Sequence, residues 1–430
     1  MIQPDGRVLL NLDEFMLRLG HLTVACQAAS ELGGNTYRIT QELGERLTTF
    51  VPIPDDEEGA VAKYLAQKGL CRTQNQPAVV ADQSRYPDIH VINTNKGPRI
   101  ERAEKHDLIW WQDLMLAQPE VKSRVGGITV TAKSGSKSGL SHVLDWAALL
   151  DLITSSGDLL GDGRLISNIR RAAGTSNPYA LGEERVVYAW RYLQADFDVI
   201  VKLAPLILHR KGLIRRKDAT ELFVCAVRNL EAEAQASRSL GSRQYETIYT
   251  AYNDLKRAAE KADKPMEVTS TAWHRASSRF ETLVDLGLLK KAPEGSPESA
   301  YTYQYSSTDR LAALVETITR ATEVDEWFED HFINLMFPQG RRVIPTIKED
   351  VLLQAIELTG TSSALIPIST LILALAACSA ALGEISSVGE WRSALIDLAR
   401  TKPDIARLSA GRYGRGAEFI SIRRKRLGTA

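Results

Sequence analysis

The sequence predicts a mainly α-helical, multidomain protein with short β-hairpins. Three observations carry that expectation. Apolar residues recur at helical spacing along most of the chain. Strand-like runs are short and arrive in pairs after helices. The length of 430 residues corresponds to about three domains at roughly 150 residues each. Hydrophobic residues make up 44% and charged residues 25%, ordinary for a packed chain, which excludes collagen-like, disordered and disulfide-scaffold classes.

The first segment, 1–132, reads as an α+β domain with an acidic start. Residues 11–47 carry helical apolar stripes, interrupted at Gly33-Gly34. Residues 51–58 (VPIPDDEE) form a turn into a helix, because acids in a first turn complement the helix dipole; that helix stops at Gly69. Val79-Val80 and residues 89–92 read as short strands, residues 101–116 as a helix, and residues 127–132 (GITVTA) as a strand. Trp110-Trp111, within that helix, is most simply core.

Residues 133–141 (KSGSKSGLS) predict a flexible boundary. The middle segment, 142–215, carries helices at about 142–155, 163–173 and 182–210, with a turn at Asn177-Pro178. Long amphipathic helices follow at about 218–237 and 242–263, and Lys264-Pro265 ends the second.

A third helix then starts near 268–271 (VTST) and runs to Leu289. Trp273, Ala276, Phe280, Leu283 and Leu286 or Gly287 form its apolar stripe. His274, Arg275, Ser278 and Arg279 fall on the opposite side, with Arg275 and Arg279 stacked at i, i+4. Strand, polar loop and strand follow (GLLKK, APEGSPESA, YTYQYS). This segment, 218–308, resembles the winged-helix family in its run SRFETLVDLGLLKKAPEGSPESAYTYQYS. The resemblance implies a helix that enters a DNA major groove, with Thr271, His274, Arg275, Ser278 and Arg279 reaching bases and phosphates. Many winged helices pack on protein instead, and that reading stands beside it.

Residues 309–345 form a helical connector. Its acidic run at 323–330 (EVDEWFED) lacks the glycine and ligand spacing of a calcium loop and reads as a partner-binding or solvated helix face. The last segment, 346–430, repeats the earlier pattern. A helix at 346–358 precedes an apolar helix at 364–382, which tolerates Pro367 in its first turn. The helix 388–402 buries Trp391, Leu395 and Leu398. Strands at 405–408 and 419–423 then flank the glycine-rich loop SAGRYGRG. This too resembles a winged helix, whose wing implies phosphate or minor-groove contacts from Arg407, Arg412, Tyr413 and Arg415. Arg423, Arg424, Lys425 and Arg426 add sequence-independent, salt-sensitive affinity. A solvated tail, or a wing docked on an acidic surface, remains the alternative.

Charge supports the division. Residues 1–60 carry 4 Lys/Arg against 10 Asp/Glu, a balance of −6, while residues 391–430 carry 10 against 3, a balance of +7, in a chain of zero net charge. Such a field can hold a polyanion at one end while the acidic end faces solvent or a basic partner.

Several chemistries are excluded. The four cysteines (Cys26, Cys71, Cys225, Cys378) are scattered without a zinc pattern and fit a reducing cytoplasm. The SGSKSG run at 134–139 lacks the spacing of a phosphate loop. No HExxH or nucleophile elbow appears, and the carboxylates around Asp88, Glu101 and Glu104 only weakly suggest a nuclease. The 19 uncharged residues at 364–382 are rich in Ala and Ser and lack basic flanks, which favours a buried helix over a membrane span. The expectation is therefore a non-catalytic, cytoplasmic, double-stranded DNA-binding subunit of a multiprotein assembly, with no small-molecule cofactor. The alternative is a scaffold whose winged helices bind protein. It resembles the kleisin-like or accessory subunits of chromosome-organising or antiviral defence ATPase complexes.

Overall fold

The structure is a computed structural model that describes residues 2, 6–9, 19–52, 72–73, 90–94, 97–102, 127–129, 131–132, 137–173, 181–210, 212–237, 271–293, 303–360, 365–410 and 417–423. Of these residues 67% are helical, in 13 helices. The expected helix at 242–263, the helix entered from 51–58, Val79-Val80 and Trp110-Trp111 lie outside the described residues.

α1 (Gly20–Leu32) and α2 (Thr36–Thr48) are divided at Gly33-Gly34, as the sequence predicts. Gly34 takes a positive φ of 66° there, a conformation glycine adopts without steric cost. β1 (Thr49–Pro52) pairs with β5 (Gly127–Thr129). A separate four-stranded sheet has the order β2 (Arg72–Thr73), β3 (His90–Thr94), β4 (Gly97–Arg102) and β6 (Thr131–Ala132). Two expectations change here. Glu101 and Arg102 end a strand rather than start a helix, and GITVTA is shared between two sheets.

The predicted boundary at 133–141 is also corrected. α3 (Lys137–Leu149) begins inside it and packs on α1. Burial of Val143, Trp146 and Ala147 overrides the weak helix propensity of the Gly and Ser residues. α4 (Gly161–Ala173) follows, and at Gly163 a Cβ would lie 2.0 Å from the Leu152 carbonyl oxygen, so only glycine fits.

The central element is α5 (Arg185–His209), buried along most of its length from Val186 to Ile207. It is kinked at Asp196, whose φ of −125° and ψ of 22° leave helical geometry. α6 (Arg216–Ser237), α7 (Thr271–Asp285) and the hairpin of β7 (Leu289–Pro293) with β8 (Tyr303–Ser307) come next. Ala276, Phe280, Leu283 and Leu286 of the predicted stripe are all buried. Just before α6, Ile214 pairs with Tyr305 of β8 through N–H to carbonyl bonds of 2.8 and 2.9 Å.

α8 (Asp309–Arg320) is capped by Thr308, whose hydroxyl accepts from the Leu311 N–H. α9 (Val324–Asp330) and α10 (Phe332–Met336) turn back onto α5. The aromatic half of the EVDEWFED run is core rather than partner-facing. Trp327 and Phe328 stack around Phe197, Trp190 and Phe332 with centroids about 5 to 6.5 Å apart. The carboxylates take the other side, and Asp325 stays open to solvent.

The chain closes with β9 (Arg341–Arg342), α11 (Glu349–Thr359), β10 (Leu365–Pro367), α12 (Ile368–Ala381), β11 (Glu384–Ile385), α13 (Val388–Thr401), β12 (Ala406–Ala410) and β13 (Ala417–Ile422). The apolar run at 364–382 is thus a strand followed by a shorter helix, because residues 365–367 pair with β13 and Pro367 caps α12 instead of entering its first turn. Eleven of the twelve positions of α12 from Ile368 to Ser379, all but Ser369, are buried, against α11, α13 and β13. No described helix is long and apolar enough to cross a membrane. One hydrophobic cluster runs from Ile2 to Ile420 and draws on the 142–215, 218–308, 309–345 and 346–430 segments alike.

Candidate nucleic-acid interface

The helix α7 was expected to expose a basic face. It does not. Ser278 and Arg279 are both fully buried. The guanidinium of Arg279 donates from Nε and Nη2 to the two carboxylate oxygens of Asp196, at 2.7 and 2.9 Å. It also donates to the carbonyls of Arg275 and Leu9, at 3.1 and 2.8 Å, and lies 5.1 Å over the Phe223 ring. Asp196 in turn accepts from the Leu9 N–H and the Tyr192 hydroxyl. Burial holds the Asp196 carboxyl above its usual range against the pull of Arg279 and these donors.

The correction has a simple cause. Spacing at i, i+4 places Arg275 and Arg279 on one face of α7 but does not say what covers that face. Here the kink of α5 and residues 6–9 cover it. Arg275 is half-buried, and the side chains of Thr271 and His274 lie outside the described residues. The Asp196 partner could not be found from periodicity, because it sits at a break in an otherwise apolar helix.

The C-terminal sheet has the order β10-β13-β12, all antiparallel. Ile366, Ala406 and Ile420 point inward and are buried. Since alternate residues take opposite faces, Leu365, Arg407, Ser409, Phe419, Ser421 and Arg423 share the outer one. Leu365, Ser421 and Arg407 form one row across the three strands, and Arg423 lies diagonally beside Arg407. Both arginines are exposed. Arg407 donates from Nε to the Pro403 carbonyl at 3.2 Å, and Arg423 is anchored by its backbone N–H to the Ile405 carbonyl.

The neighbouring cations behave differently. Arg392 is paired with Glu329 at 2.6 Å, Arg400 with Asp397 at 2.9 Å and Lys402 with Glu349 at 3.8 Å. Among the described residues Arg407 and Arg423 have no carboxylate partner. Arg412, Tyr413, Arg415, Arg424, Lys425 and Arg426 lie outside the described residues.

Two adjoining cavities of about 350 and 320 Å³ share Arg191, Gln194 and Asp325. Every arginine lining them faces a carboxylate: Arg7 meets Asp325, Arg191 meets Asp151 and the buried Asp162, and Arg392 meets Glu329. The lining is charge-balanced and offers no preference for an anion or a cation. No cluster of three or more His, Cys, Asp or Glu suited to a metal ion exists among the described residues. No protein-family model matches the chain, and neither a curated protein nor a solved structure is significantly similar to it.

Proposed function

We propose that the protein is a non-catalytic, cytoplasmic subunit that binds double-stranded DNA through its C-terminal module. The observation that carries this reading is the pair Arg407 and Arg423, adjacent on one open sheet face and without carboxylate partners among the described residues. The sequence places Arg412, Tyr413 and Arg415 between the same two strands and Arg424, Lys425 and Arg426 directly after them. Phosphate contacts need cations whose charge no internal carboxylate neutralises.

A winged-helix reading of both modules is supported by their common order. In both, a residue or strand between two helices pairs with the last strand, Ile214 bridging to Tyr305 of β8 and β10 pairing with β13, and in each a helix leads into the closing two strands. The internal module serves a different purpose, because burial of Arg279 commits its third helix to packing.

The test is titration of a DNA duplex with the full chain and with the R407A/R423A variant between 50 and 200 mM salt. Loss of two phosphate contacts should weaken binding and flatten the log-log salt slope by about 2. Identical affinity and slope in the two proteins would overturn the proposal.

A further inference from the structure

We infer that the C-terminal module meets DNA with its sheet face and hairpin, not by inserting α13 into the major groove, so that binding is independent of base sequence; this rests on the DNA-binding reading above. A helix that reads bases does so chiefly with its N-terminal residues, which must approach a phosphate-lined groove. The charged side chains at the N-terminal end of α13 are tied up in ion pairs, Glu390 with Arg342 at 3.3 Å and Glu329 with Arg392 at 2.6 Å. Glu390 closes a capping box there, accepting from the Ser387 N–H at 2.7 Å while the Ser387 hydroxyl accepts from the Glu390 N–H. Glu329 of α9 abuts the same turn, where a Cβ on Gly389 would lie 3.1 Å from its Oε2. Both carboxylates and both arginines at this end are therefore committed to one another, and a helix entering the groove here would have to give up those pairs to free a donor for a base or a phosphate.

The rest of α13 is equally ill suited. Val388 and Trp391 are buried, Arg392 turns toward Glu329, and the exposed side carries Ser393, Ile396, Asp397 and Arg400. Only Arg400 on that side is basic, and Asp397 lies one turn before it at 2.9 Å. In the first two turns the one forked donor, Arg392, gives both its Nε and Nη2 to Glu329, and no side-chain amide is present to distinguish one base pair from another. Arg407 of β12 and Arg423, directly after β13, are instead the cations of this sheet without a carboxylate partner among the described residues. Ser409 and Ser421 supply hydroxyl donors in the same face.

The experiment measures affinity of the full chain for three duplexes of equal length, one rich in A·T, one rich in G·C and one mixed. Dissociation constants should agree within about threefold, below the roughly tenfold that one good bidentate base contact provides. R407A/R423A should weaken all three equally, and S393A/I396A on α13 should leave all three unchanged. A preference of more than about tenfold for one duplex, or a larger loss from S393A/I396A than from R407A/R423A, overturns the inference while leaving DNA binding intact. Absence of binding to any duplex overturns the DNA reading itself, and the inference with it.

Discussion

Arg279 grips both carboxylate oxygens of Asp196 across 83 residues of sequence, and the two side chains are wholly buried. Removing one partner leaves an uncompensated charge in the core. R279A and D196A should each cost about 3–5 kcal/mol, while the double variant costs well under their sum. Urea unfolding of the three variants checks this. Additive losses would show that the two groups do not act as a pair.

The packing of α12 makes a second test. Leu373 and Leu375 are 1% and 0% exposed among α11, α13 and the C-terminal sheet. Truncating either to alanine should cost about 2–5 kcal/mol through lost burial and the cavity left behind. A thermal melt that barely moves would place this helix outside the core.

Gly163 offers a test of close approach. A methyl group there would press on the Leu152 carbonyl oxygen, backbone that cannot swing aside. G163A should destabilise by about 1–3 kcal/mol despite the better helix propensity of alanine. An unchanged or raised melting temperature would count against the drawn packing of α4.

Burial pushes the Cys26 thiol up to about 12, well above its ordinary value. The native state then keeps a proton that the unfolded chain releases once the pH passes its own thiol range, near 8.5. Native protein binds more protons in that window, so stability falls as pH rises through it, by at most about 1.4 kcal/mol per pH unit. The buried phenols of Tyr188 and Tyr192, held well above their usual range, add to the fall from about pH 10 upward. Urea midpoints of wild type and C26A from pH 7 to 10 should diverge in slope. Thiol labelling at neutral pH should reach exposed Cys225 before Cys26.

Much of the helical order was legible in the residues. Apolar spacing located α4, α5, α6, α11 and α13 within a few positions, and the Leu-Gly-Leu-Leu run located the β7–β8 hairpin. What periodicity could not supply was the environment of a polar face. Arg275 and Arg279 share a side of α7 whether solvent or protein lies beyond it, and only the fold brings Asp196 and Leu9 there. The start of β10 was hidden for a related reason. Residues 364–382 are uncharged and mostly apolar, so neither a two-residue nor a 3.6-residue period stands out, and pairing with β13 decides residues 365–367. For the C-terminal face the residue types were visible, but which cations lack partners depends on Glu329, Glu349 and Asp397 standing beside the others.

The hold of Arg279 on the Leu9 carbonyl, 270 positions earlier, also sets a clock on the growing chain. At roughly 5–20 residues per second, about 15–50 s pass between synthesis of Leu9 and of its partner. Asp196 and Asp198, which take the N–H groups of Gly6, Arg7 and Leu9, emerge earlier but sit at a kink that Arg279 completes. Residues 6–9 thus cannot complete their packing until α7 has been made, long after they themselves emerge.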